Sequence, residues 1–294
     1  MKTEKHVEQV LDARALLGEG PLWDDRRGLL YWVDIEAGSV HSYDPVSGED
    51  NVVDLGRRVG CLALRASGGL LAGVEGGIGA LKLPSGEFRL LANPEAERPR
   101  NRFNDGKCGP AGRFWAGTMS MDREEGAGSL YCLEPDLSIR RVLSGVTTSN
   151  GLAWSKDARI VYYIDTRTRA VSAFDFDPEA GTLANRRELI RVPDELGRPD
   201  GMCIDAQGLL WIAMFGGGRI TRWQPRDGSL AAEFAVPAPR VTSCCFGGPN
   251  LETLYITTAR FGLSDAELKQ YPLSGGLFRL VPGVRGAAVP RFAG

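Results

Sequence analysis

Histidine is almost missing from this chain: 294 residues contain only His6 and His41. No Ser/His/Asp pattern surrounds either one, which argues against a His-based catalytic triad. The six cysteines (Cys61, Cys108, Cys132, Cys203, Cys244, Cys245) include no CxxC pair, so neither a zinc knuckle nor a disulfide framework is indicated. Adjacent Cys244 and Cys245 would point to opposite faces of a strand and read as small core residues. Long apolar runs are also missing. Nothing approaches the roughly 20 residues of a membrane span, and "MKTEKHVEQVLDARALLGEG" lacks the apolar stretch of a signal peptide. These absences predict a cytoplasmic protein with no membrane partner. Neither sign of charge dominates: 35 basic against 37 acidic residues give a formal net charge of -2. That balance removes any general attraction to nucleic acid, and no block of like charges forms a tail. Helical periodicity over 12 or more residues is hard to find as well.

What is present is strand. Hydrophobic residues make up 43% of the chain and charged residues 24%, the balance of a globular protein with a large core. Short runs rich in Val, Ile, Tyr, Trp and Phe alternate with Gly, Pro, Asp and Ser clusters. The runs repeat: "GLLYWVDIEAGSVHSYDP", "GGLLAGVEGGIGALKLPSGE", "RIVYYIDTRTRAVSAFDFDP" and "GLLWIAMFGGGRITRWQPRDG" each hold a strand, a turn and a second strand. Anchoring on Tyr31, Leu71, Trp115, Tyr162, Trp211 and Tyr255 gives intervals of 40, 44, 47, 49 and 44 residues. Six units of about 45 residues with about four strands each predict an all-β fold, a six-bladed β-propeller around a central channel. Residues 1–294 are expected to form one domain, with "HVEQVLDA" closing the ring beside "GLFRLVPG". Trp32, Trp115, Trp154, Tyr163 and Trp211 then read as packing between blades, while Met214 and Phe215 are secondary candidates for lining a pocket.

The repeat also places polar residues in phase. Upstream of the anchors lie Glu19, Val59, Asp105, Asn150, Asp200 and Ser243, at distances of 12, 12, 10, 12, 11 and 12 residues. Near-constant offsets put all six at one structural position, converging at one mouth of the channel. Five of the six precede a glycine, which would let the backbone turn tightly there. Asp-Gly and Asn-Gly are also ordinary turn formers; the shared phase is what favours a site. Side-chain oxygens of Glu, Asp and Asn suit one divalent cation, drawn from Ca²⁺, Mg²⁺, Mn²⁺, Zn²⁺ and Fe²⁺.

Six stretches in order, "LGEGPLWD", "NRFNDGKCGPAGRFWAGTM", "TSNGLAWS", "RPDGMCIDAQGLLWIA", "TSCCFGGPNLETLYITTA" and "PGVRGAAVPRFAG", resemble the gluconolactonase/regucalcin family, also called the senescence-marker-protein or luciferin-regenerating-enzyme family. The resemblance spans nearly the whole chain and implies the same six-bladed propeller. It also implies that the divalent metal is held by Glu19, Asn150 and Asp200, and that substrate is contacted by Arg102 and Asn104. A carboxylate a few residues beyond "GTM" often contributes in the family; Asp122 stands at about that place, where a solvated hairpin tip is the competing reading. Asp105 is expected to orient Arg102 or a water, or else to be a turn residue before Gly106.

The implied activity is divalent-metal-dependent hydrolysis of a sugar lactone to the aldonic acid. A cation would polarise the lactone carbonyl and activate water. Asp200 would hold the metal and accept a proton as the catalytic base, with Arg102 and Asn104 on ring hydroxyls or the developing oxyanion. The partner is then a small sugar lactone, and the protein a monomer or small homo-oligomer. Two alternatives stay open: hydrolysis of another ester, such as an organophosphate or aryl ester, and a calcium- or metal-binding regulatory propeller without turnover.

Overall fold

The computed structural model describes residues 6–294. Twenty-four strands form six four-stranded antiparallel sheets, arranged as the blades of a propeller. The first strand of each blade faces the first strands of its neighbours, so these six strands line the channel: Gly18–Asp24, Val59–Leu64, Asn101–Cys108, Ser149–Trp154, Arg198–Ile204 and Val241–Gly247. We number the blades 1 to 6 in that order. The ring closes as the sequence predicts, with Glu8–Leu11 supplying the outer strand of blade 6 against Leu277–Leu280. One helix, Asp265–Gln270, interrupts blade 6 and carries a capping box from Ser264 to Glu267.

Why these segments become strands follows from burial on both faces. In the second strand of blade 1, Leu29–Asp34, five of six residues are buried, and Leu70–Val74 is buried throughout. Such strands read as continuous apolar runs rather than alternating ones, because a neighbouring blade covers each face. The outermost strands, such as Asp50–Asp54 and Glu87–Ala92, bury no residue fully, and the charges of Asp50, Asp54, Glu87 and Arg89 discourage pairing with another chain. All six anchor residues sit on second strands and face the following blade. Tyr31 packs with Leu62 and Leu64, Leu71 with Phe103, and Trp115 with Trp154 and Tyr163. Tyr162 packs with Met202, Trp211 with Phe246, and Tyr255 with Trp32. Burial of each large ring contributes about 1.5–3 kcal/mol, so the repeat fixes six equivalent hydrophobic interfaces. Cys244 and Cys245 do point to opposite faces, the first into the interface of blades 5 and 6 and the second into that of blades 6 and 1. All six cysteines are buried and free.

The pairing of first and second strands slips by one residue in every blade: between Glu19 and Leu22, Val59 and Cys61, Phe103 and Gly106, Asn150 and Leu152, Pro199 and Met202, and Val241 and Ser243. These six β-bulges fall at or beside the in-phase positions, and a bulge re-aims side chains out of the regular alternation. Gly20 takes the left-handed backbone of a tight turn, with φ of 51°, but two of the other glycines have a different reason. Gly60 and Gly201 both have ordinary negative φ. A Cβ on Gly60 would lie 2.2 Å from the Phe103 carbonyl oxygen, and one on Gly201 would lie 2.1 Å from Ser243 Oγ. Close approach of the next blade's inner strand, not left-handed backbone, demands glycine there.

The far end of the channel is crossed by the C-terminal segment. Phe292 donates its N–H to the Leu64 carbonyl at 2.8 Å and accepts from Ala66 at 2.7 Å, while the Arg65 guanidinium holds the Gly294 carbonyl. Gly60→Ala is expected to cost about 1–3 kcal/mol through overpacking and to push Asn104 out of register, seen as a lower urea midpoint with an unchanged m-value.

Candidate functional site

The bulged strands bring six of the expected residues into one cluster. Glu19, Arg102, Asn104, Asp105, Asn150 and Asp200 are all buried, each exposing less than a tenth of its surface. Glu19 feels both Asp105 and Arg102; Asp200 feels Glu19, Asp105 and Arg102, with the Asn150 amide beside it. The two remaining in-phase residues diverge: Val59 packs into the core between blades 1 and 2, and Ser243 lines the channel below the acids.

Burying acids together is costly, and their protonation shows it. Desolvation, then the Asp105 charge, pushes Glu19 up to about 8 from 4.5, against the pull of the Gly20 N–H and Arg102. The same causes, desolvation first and then Glu19 and Asp105, hold Asp200 well above the carboxylate range. Desolvation also raises Asp105, opposed by Lys107 and by the Gly106 N–H at 2.7 Å. Arg102, lowered by burial to about 10, remains a cation at neutral pH. Its Nη1 donates to Asn104 Oδ1 at 2.7 Å and to its own Phe103 carbonyl at 3.0 Å, and Asn104 Nδ2 donates to the Ser149 carbonyl at 2.8 Å. Arg102 and Asn104 are thus fixed as a pair, tied across to blade 4. Phe103, 2% exposed, packs against Tyr131 in the core between them.

Asn150 shows most directly what the mouth is built for. Its Nδ2 donates to Thr166 Oγ1 at 2.9 Å, and Thr166 in turn donates to the Pro199 carbonyl, next to Asp200. That bond fixes the amide so that Oδ1 stands buried with no hydrogen-bond partner. A buried orphan acceptor is costly, and beside two acids whose charge Arg102 offsets only in part it suits a cation. Among the described residues no three His, Cys, Asp or Glu side chains form a metal-binding group, so a site here depends on this amide as a ligand. The donor set is all oxygen, as a hard divalent cation requires.

Supporting residues emerge that the sequence reading did not single out. Asp34 accepts the Leu16 and Leu17 N–H groups at 2.7 and 2.9 Å, and Asp165 accepts those of Thr147 and Thr148, both at 2.9 Å. Each holds the loop that leads into the strand of Glu19 or Asn150. Their signal was present in "YWVD" and "YYID", the same motif in blades 1 and 4. Over the mouth, Arg58 bridges Glu36 at 3.0 Å and Glu75 at 3.3 Å, and its Nη1 reaches Met121 Sδ.

Asp122 lies apart from the cluster, on the exposed rim, both oxygens bonded to Arg100 at 2.6 and 2.9 Å. Met214 is fully buried in the core of blades 4 and 5, and Phe215 is half-buried under the Arg240 guanidinium, so Met214 does not line the mouth. The expectation that no Ser/His/Asp pattern surrounds a histidine also needs correction. Ser39 Oγ lies 3.2 Å from His41 Nε2, and Asp50 Oδ2 lies 2.6 Å from His41 Nδ1. Ser39 and His41 share a strand, and pairing with the neighbouring strand brings Asp50 to the other side of the imidazole. Ser39 and His41 are nevertheless buried, with the imidazole stacked 3.7 Å from Trp32, so the chain of bonds belongs to the core of blade 1.

Residues 17–260 match the model of the SMP-30/Gluconolactonase/LRE-like region. The chain belongs to this family. It is 40% identical to regucalcin of Xenopus laevis over 294 residues, covering 98% of both chains. It is also 40% identical over 267 residues to "Putative sugar lactone lactonase YvrE" of Bacillus subtilis, covering 91% of each. The crystal structure of a calcium-binding protein, regucalcin, from Agrobacterium tumefaciens superposes with a TM-score of 0.93 at 29% identity, covering 98% of this chain and 97% of that one. No helix among the described residues is long and apolar enough to cross a membrane.

The raised Glu19 has a thermodynamic consequence. Its folded-state value lies above its unfolded value, so the folded protein binds more protons between about pH 4.5 and 8 and loses stability as pH rises through that window. Chelator-treated protein is therefore expected to be more stable at pH 5 than at pH 8, by about 3–4 kcal/mol from Glu19 alone, measured by urea unfolding at the two values.

Proposed function

We propose that this protein hydrolyses a sugar lactone to its aldonic acid at the channel mouth, with a divalent cation held by Glu19, Asn150 and Asp200. The observation that carries this reading is the unpartnered Asn150 Oδ1 buried beside two acids that repel one another. The relatives' names point the same way, one to a sugar lactone lactonase and one to calcium. When bound, the cation supplies Lewis-acid polarisation of the lactone carbonyl and acidification of water.

The chain's own groups do the rest. The Asp200 carboxylate, pushed above its ordinary range by burial and by Glu19 and Asp105, takes the proton of the attacking water. Arg102 keeps Nε and Nη2 free of the Asn104 contact, so these N–H groups serve the ring hydroxyls or the oxyanion as charge develops. Asn104 has a second Nδ2 hydrogen available beyond its bond to Ser149. Because the pair is already bonded together, little ordering entropy is lost on binding. Asp105, facing Glu19 and Asp200 from blade 3, acts from behind the ligands. Asp122 would contact a hydroxyl only by sharing its oxygens with Arg100, so Arg102 and Asn104 carry substrate recognition.

A calcium-binding propeller without turnover is the second reading, favoured by the calcium-binding relative. Acid release from gluconolactone, xylonolactone, arabinonolactone and galactonolactone separates the two. Chelation, or Asp200→Ala, is expected to lower release at least about a hundredfold, with recovery of the wild type on adding back a divalent cation. Chelator-insensitive release would overturn the mechanism, while bound metal with no release from any lactone would favour the binding protein. Arg102→Lys loses the planar fork and is expected to lower kcat/KM about 10- to 100-fold while metal binding, read by calorimetry, changes little.

A further inference from the structure

An amide differs from a carboxylate as a ligand to a cation. A carboxylate presents an oxygen whichever way it is turned, whereas an amide presents either its oxygen or its NH2 group. Of Glu19, Asn150 and Asp200, only Asn150 therefore needs steering, and the repeat supplies a partner in its blade. The fourth residue beyond the anchors Tyr31, Tyr162 and Trp211 is Ile35 in blade 1, Thr166 in blade 4 and Phe215 in blade 5. Ile35 is fully buried in the core of blades 1 and 2, and Phe215 lies under the Arg240 guanidinium. Neither side chain can form a conventional hydrogen bond. Thr166 can, and it stands in the blade whose candidate ligand is the amide.

The Thr166 hydroxyl is held so that it acts one way. Its single hydrogen goes to the Pro199 carbonyl at 2.9 Å, so it meets Asn150 Nδ2, also at 2.9 Å, as an acceptor. Its backbone is clamped at both ends of a 3-10 turn, Thr166–Thr168, capped by Asp165. The Thr166 N–H donates to the Thr148 carbonyl at 3.1 Å, and the Arg169 N–H donates to the Thr166 carbonyl at 3.2 Å. Thr168 Oγ1 adds a bond to the Asp165 carbonyl at 2.8 Å. With Nδ2 engaged by a fixed acceptor, Asn150 Oδ1 is the atom left without a partner. Through Pro199 the same hydroxyl ties Asn150 in blade 4 to the residue preceding Asp200 in blade 5.

We infer that Thr166 is a positioning residue for the cation: its hydroxyl, anchored on the Pro199 carbonyl, keeps the Asn150 oxygen and not its NH2 group free for the ion, so that cation affinity depends on a side chain outside the ligand set. The inference rests on the ligand assignment proposed above.

Calcium titrated by calorimetry into the metal-free, full-length protein tests this, with thermal unfolding of each variant as the check on its fold. Thr166→Val keeps the shape without the hydroxyl and is expected to bind calcium about tenfold more weakly. Thr166→Ser keeps the hydroxyl and should stay within about threefold of wild type. Asn150→Asp separates steering from damage: a carboxylate at 150 needs no steering, so adding Thr166→Val to Asn150→Asp should change affinity by less than about twofold. An equal loss in both backgrounds makes Thr166 a structural support and overturns the inference, as does wild-type affinity in a folded Thr166→Val variant. If Thr166→Val does not fold, Thr166→Ala carries the same expectation, and failure of both to fold also overturns it. Asn150→Ala keeps the two proposals apart. Undiminished calcium binding by Asn150→Ala, or none by the wild type, sinks the ligand assignment and the steering with it. Lost binding by Asn150→Ala with wild-type binding by Thr166→Val sinks the steering alone.

Discussion

Repulsion among carboxylates buried together in one channel is the constraint on which the site depends. Glu19, Asp105 and Asp200 come from blades 1, 3 and 5, and each is buried where its charge is poorly solvated. A propeller core gains nothing from such an arrangement, since ionised groups in low dielectric are among the costliest things to bury. Arg102 and Lys107 offset part of the cost, and the Asn150 amide is turned so that its oxygen adds another negative dipole. The result is a buried cluster of like charge whose cost to stability the protein's own cations relieve only in part.

The surrounding fold makes that concentration of charge possible. Six hydrophobic interfaces between blades, each built around an anchor side chain, hold the inner strands close enough for their side chains to meet across the axis. The bulges then turn residues inward, and glycines such as Gly60 and Gly201 remove the Cβ atoms that would force neighbouring strands apart. Rigidity at the mouth comes from bonds that cross blade boundaries: Asn104 to Ser149, Thr166 to Pro199, Lys107 to Met202. The C-terminal segment, strapped over the opposite end through Phe292 and Arg65, leaves the channel working from one side.

Much of this was legible in the chain alone, because a repeat turns sequence spacing into spatial equivalence. The anchors Tyr31 to Tyr255 predicted six blades, and "HVEQVLDA" closes the ring beside "GLFRLVPG" as expected. The offsets that grouped Glu19, Asp105, Asn150 and Asp200 picked out residues that do meet. The same offsets included Val59 and Ser243, which do not join the acids, since a bulge can shift the inward residue by one place without altering the count. Met214 looked available for the pocket because the parity of its strand against two covering blades cannot be read from one strand.

The sequence by itself determined the number of blades, the hydrophobic interfaces and the polar residue types at the mouth, because these depend on composition and period. Only the tertiary structure decided how those residues are charged and aimed. Burial raises Glu19 and Asp200, Thr166 orients Asn150, and Lys107 reaches from blade 3 to blade 5. The Ser39–His41–Asp50 chain of bonds is the counterpart: its residues matched no spacing pattern, and its enclosure under Trp32 makes it core rather than site. Protonation and orientation depend on distance and solvent exclusion across the channel, quantities that arise only when the ring has closed.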